Sequence, residues 1–121
     1  MEGSFVQQAL QDYKEGLGAF EKQLPEVARE YNRFTEACFA DGELSAKMKH
    51  LIGVALACLA NDEYCIIYHT KGCVDHGASD MEVLEAAAVS GAFGGGAAMS
   101  QSVTLLQDAL EQLRRGTGLV Q

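Results

Sequence analysis

Apolar residues recur at three- and four-residue steps along most of this chain, so the pattern predicts helices and no convincing strand. Phe5, Val6, Ala9, Leu10, Tyr13 and Leu17 form the first stripe, an amphipathic helix over Phe5 to Gly18, with Phe20 and Leu24 near its exit. Pro25 suits a first helical turn and opens a second helix, whose buried face is read as Val27, Ala28, Tyr31, Phe34, Thr35 and Cys38. Asp41-Gly42 ends it. Ser45 is the expected N-cap of a third helix in which Met48, Leu51, Ile52, Val54, Ala55, Leu56, Cys58 and Leu59 are apolar nearly all round. A helix of that kind is expected to be central and buried.

Asn61-Asp62 interrupts the pattern and re-caps it, so that a fourth helix runs to Asp75-His76-Gly77, where glycine supplies a left-handed terminal residue. Ser79 and Glu82 stand in the reciprocal positions of a capping box and open a helix through Val83, Leu84, Ala87 and Ala88. The glycine-rich tract Gly91 to Ala98 has no strand before it and no Gly-Lys-Ser/Thr after it, which argues for a bend or a close helix contact over a phosphate loop. A last helix from about Ala97 to Arg115 carries Leu105, Leu106, Ala109, Leu110 and Leu113, with Arg114-Arg115 facing the negative end of its dipole. About six helices in a single domain, 1–121, are expected.

Composition narrows the partners. A net charge of -8 and a pI near 4.7 argue against nucleic acid and anionic membranes, both of which reward basic patches. No run approaches a membrane span, and the start Met-Glu-Gly-Ser-Phe lacks the basic flank and apolar run of a signal peptide, so a cytoplasmic location is expected. Four cysteines, Cys38, Cys58, Cys65 and Cys73, are then free, catalytic or ligating rather than a disulfide framework.

Chemistry concentrates between Asn61 and Cys73. Asn61 or Asp62 can cap the fourth helix, which puts Cys65 in its first turn, where unpaired N–H groups and the dipole favour a thiolate and lower the thiol pKa. His69 is four residues on and shares the face of Cys65. The competing reading is a small buried thiol and a histidine satisfied by a carbonyl. Asp62 would raise the thiol pKa unless paired, and His50, from the third helix, is the expected partner for it. Cys38, Cys58 and Cys73 read as packing residues, His76 as a cap compensating the helix dipole, and Tyr64 and Tyr68 as lining a pocket or an interface.

Leu44, Lys47, Lys49, the run Leu51 to Ala57, Tyr64-Cys65-Ile66, His69, Gly77-Ala78-Ser79, Glu82-Val83 and the glycine-rich tract together resemble the carboxymuconolactone decarboxylase and alkyl hydroperoxidase D family over about residues 20 to 110. The resemblance implies an alkyl hydroperoxidase D-like all-α bundle assembled as a trimer or hexamer, acting in thiol-dependent peroxide reduction or in lactone decarboxylation. The redox branch of that family carries Cys-x-x-Cys-x-x-x-His with a relay glutamate twelve residues before the first cysteine. Cys65 matches the second cysteine and His69 the histidine, whereas the first cysteine is Asp62 and the glutamate is His50.

An internal Cys-x-x-Cys disulfide is therefore excluded, and a one-thiol site of Cys65, His69, His50 and Asp62 is expected. The expected function is that of a thiol-dependent antioxidant oxidoreductase meeting a peroxide or a thiol/disulfide partner. The alternatives are a small-acid lyase and a structural oligomer with a vestigial site. The lyase would need a cationic clamp, and only Arg29 and Arg33 look available for one. The same four side chains are also potential zinc or iron ligands, but no paired ligand spacing supports a metal, and no cofactor is expected.

Overall fold

The computed structural model describes residues 4–117, and every regular element among them is helical. Helix α1 (Phe5–Gln23) begins at Ser4, whose hydroxyl accepts from the Gln7 N–H, and runs five residues beyond the expected Gly18. A Cβ placed on Gly16 or Gly18 would meet nothing within 4 Å, and the helix runs through both. Helix α2 (Pro25–Phe39) starts at the proline, as its pyrrolidine ring favours. Helix α3 (Ala46–Ala60) is capped by Ser45 and ends at Asn61 in the left-handed conformation, φ 56°, from which Asp62 caps α4 (Glu63–Asp75). Helix α5 (Asp80–Gln101) opens with the complete Ser79/Glu82 capping box.

The glycine-rich tract is mostly helix. Only Gly95, at φ 61° and ψ -142°, leaves the helical region, and it breaks α5 at one point instead of forming a loop. A π-helical segment, Ser102–Leu106, then leads into α6 (Gln107–Thr117).

The core is built where α3, α4 and α5 pack together and α6 closes over them, with Val54, Cys58, Ile66, Cys73, Val83 and Leu106 fully buried. Burying a branched aliphatic chain such as Ile66 contributes about 1.5–3 kcal/mol. Arg114 ties the end of the chain to the α4–α5 connection, with Nε 2.8 Å from Asp80 Oδ1 and an N–H donating to the Ala78 carbonyl at 2.6 Å. Helix α1 joins through Val6 against Ile67 and Ala109.

Two expected faces differ. Of the α2 stripe only Ala28 is buried; Val27, Tyr31 and Phe34 are exposed, Phe34 at 65%, and so is Cys38. Helix α3 is central but not buried all round, since Met48, Ile52, Leu56 and Leu59 form a second exposed stripe. Among the described residues these faces are left uncovered. Among the described residues no helix is long and apolar enough to cross a membrane.

Candidate active site

The turn at Asn61-Asp62 folds α3 and α4 into an antiparallel hairpin, and that hairpin assembles the site. Asp62 Oδ1 accepts from the Cys65 backbone N–H at 3.2 Å, so the carboxylate is the cap that starts α4. Cys65 follows one turn in, on the exposed side. The expected low-pKa thiol is not what this environment makes. Burial, a hydrogen bond to the Asp62 carboxylate and that carboxylate's charge all push the Cys65 thiol up. The cap that puts Cys65 at a helix start thus also holds its proton in place.

One turn further along α4, His69 Nδ1 lies 3.1 Å from His50 Nδ1 on α3. The expected His50 to Asp62 pairing is therefore replaced by an imidazole pair, and the nitrogen of His69 engaged in it faces His50 and not the thiol. Phe39, the last residue of α2, stacks on both rings at centroid distances of 4.7 and 5.0 Å, and Tyr68 meets both edge-on. Burial, the neighbouring His50 charge and a partly offsetting Asp62 charge bring His69 down to about 4. Burial and His76, opposed by Asp75, lower His50 as well. Both rings are neutral at physiological pH.

His76 caps α4 as expected, its Nδ1 2.8 Å from the Gly72 carbonyl oxygen, and it also stacks on His50 at 5.2 Å. All three histidines of the chain thus lie in one row. Among the described residues no group of three or more His, Cys, Asp or Glu is arranged to hold a metal ion, so His50, Asp62, Cys65 and His69 do not converge as a ligand set. Cys58 and Cys73 are core residues, and burial followed by the Glu82 charge pushes Cys73 up to about 12. Arg29 and Arg33 are paired with Glu30 on the exposed part of α2. Tyr64 lines a cleft of about 400 Å³ with Phe5, Asp12 and Ile67.

Sequence reasoning missed Phe39, Gly53 and Gly72 and gave His76 half of its role. A signal was present in the repeated His-x-x-Gly step, His50 to Gly53 and His69 to Gly72. A Cβ on Gly53 would come within 2.8 Å of His69 Cγ, and one on Gly72 within 2.6 Å of His50 Cγ.

The geometry has relatives. A crystal structure of a carboxymuconolactone decarboxylase family protein from Legionella pneumophila superposes with a TM-score of 0.84 at 29% identity, covering 89% of this chain and 96% of that one. A family protein from Thermotoga maritima, suggested to take part in an antioxidative response, gives 0.69 at 28% identity over 76% and 94%. An uncharacterized protein of Cupriavidus necator is 31% identical over 80 residues, 66% of this chain and 71% of its own length. A Paracoccus denitrificans protein from a cox locus is 35% identical over 68 residues, 56% of this chain and 61% of its own. Residues 25–108 match the carboxymuconolactone decarboxylase family, and with the all-helical fold that match places the chain in it: the protein is a member of the carboxymuconolactone decarboxylase family.

Proposed function

We propose that this protein is a one-thiol reductant of peroxides, with Cys65 as the reacting group and Asp62 as the base that takes its proton. The observation that carries the reading is the exposed Cys65 at the start of α4, beside the Asp62 carboxylate that accepts its backbone N–H. The antioxidative role suggested for the Thermotoga relative supports it. In the reaction the sulfur attacks the terminal oxygen of a hydroperoxide and the O–O bond breaks. The thiol proton passes through Asp62 to the departing alkoxide, giving an alcohol and a Cys65 sulfenic acid; sulfur is oxidised and the peroxide reduced. One external thiol then forms a mixed disulfide with loss of water, and a second releases Cys65 and leaves as the external disulfide. An external thiol is assigned that role: Cys58 and Cys73 are buried, and Cys73 lies eight residues away, about 12 Å along the helix.

The high thiol pKa does not defeat this chemistry. A more basic thiolate is intrinsically more nucleophilic, and a positioned base removes the need for a standing thiolate population.

The test is consumption of hydrogen peroxide and of an alkyl hydroperoxide with dithiothreitol as reductant, in the native protein and in Cys65→Ser. Turnover that vanishes in Cys65→Ser supports the reading; equal turnover in both, or none in either, removes it. The reading includes assembly as a homo-oligomer of three or six chains, supported by the exposed apolar stripes of α2 and α3.

A further inference from the structure

A glycine in the middle of a helix costs about 0.5–1 kcal/mol relative to alanine. Helices α3 and α4 each carry one, three residues after a histidine, and both glycines are buried. In the antiparallel hairpin His50 lies opposite Gly72 and His69 lies opposite Gly53, so each imidazole sits on the glycine of the other helix. The fit is close to the ring itself: a Cβ on Gly53 would meet His69 Cγ and Nδ1 at 2.8 Å and Cδ2 at 3.1 Å, and one on Gly72 would meet His50 Cε1 and Cγ at 2.6 Å. The rings have little room to yield. Phe39 stacks on both, Tyr68 stands against both, and His76 stacks on the side of His50.

From this geometry we infer that Gly53 and Gly72 are positioning residues that lock His50 and His69 into one N–H···N pair with complementary tautomers. At 3.1 Å one Nδ1 must donate and the other accept. One ring is therefore fixed as the Nδ1–H tautomer, and its partner, with Nδ1 accepting, carries its proton on Nε2. Such a pair conducts a proton without either ring turning. A proton taken up at Nε2 of the first ring moves the shared proton across, and the second ring releases one from its own Nε2. The charges felt by the two rings are those of Asp62 at His69 and of His76 and Asp75 at His50, with Tyr68 packed beside both rings. The assignment concerns the imidazole pair itself and stands apart from whether Cys65 reduces peroxide.

Long-range proton–nitrogen NMR of the imidazoles in the unmodified protein is the direct test. One of His50 and His69 is expected as the Nδ1–H tautomer and the other as Nε2–H, both protonating below their ordinary midpoint of about 6.5. Two Nε2–H rings with ordinary titration overturn the inference. Thermal melts supply a second readout with a change of sign. Gly72→Ala should lower the melting temperature in the native background, where His50 is in the way, yet raise it in a His50→Ala background, where only the helix preference of alanine remains. Gly53→Ala should behave likewise with and without His69→Ala. If a single glycine variant fails to fold, recovery of folding in the matching double variant supports the assignment. A glycine penalty that is the same with and without the histidine overturns it.

Discussion

Asp62 does two things at the residue scale: it accepts the Cys65 backbone N–H as the α4 cap, and it stabilises the protonated thiol. Asparagine is an equally good cap, so Asp62→Asn should leave stability nearly unchanged while removing the charge and the thiol's anionic acceptor. The midpoint of iodoacetamide alkylation against pH should lie above the ordinary cysteine value of about 8.5 in the native protein and fall in Asp62→Asn. A native midpoint below that value would contradict the site described. His69 gives a second expectation. Its folded pKa, about 4, is depressed below the unfolded value of about 6.5, so the unfolded chain binds the extra proton between them. Its stability contribution is full above about pH 6.5 and is lost as pH falls toward 4, by roughly 1–2 kcal/mol after discounting for partial exposure. Melting curves from pH 7 to 4 should therefore fall less steeply in His69→Gln; parallel curves would mean the ring titrates normally. The candidate residues were legible because Cys65, His69, Asp62 and His50 lie in a recognisable order. Their pairing was not, because helical spacing relates residues on one helix while the choice between His50–Asp62 and His50–His69 depends on the register of two helices. That register is set by where Gly53 and Gly72 let the rings sit.

The helices themselves were the most legible feature at the level of elements. Pro25, Ser45, Asp62 and the Ser79/Glu82 box mark starts that the structure keeps, since each supplies a partner or a conformation that a helix terminus lacks. Glycines divide: Gly18 does not end α1 as expected, whereas the tract from Gly91 to Gly96 does bend the chain, at Gly95, and Gly94 lies close against Leu59 of α3. A glycine permits a break without requiring one, and tertiary packing decides. Gly95 combines positive φ with a strongly negative ψ, near a region that side-chain-bearing residues avoid, so Gly95→Ala should cost about 1–3 kcal/mol. A urea midpoint unchanged by that substitution would show that α5 can straighten there.

Apolar residues at helical spacing on α2 and α3 were read as core, and within one chain many are not. Periodicity shows that a face is to be covered but not by which molecule. Leu24 at the start of α2, Val27, Tyr31 and Phe34 along it, and Met48, Ile52, Leu56 and Leu59 on α3 leave large apolar side chains exposed, as an interaction face does. Light scattering at micromolar concentration should give three or six times the chain mass, and Leu56→Asp, a charge placed on the exposed α3 stripe, should reduce it. A native monomer would contradict this expectation. Intact-protein mass spectrometry after peroxide treatment in the presence of a sulfenic-acid trap tests the central claim most directly, because Cys38 is also exposed and serves as an internal control. The account predicts a single trapped adduct per chain, at Cys65, lost in Cys65→Ser. An adduct at Cys38 with Cys65 untouched would contradict it.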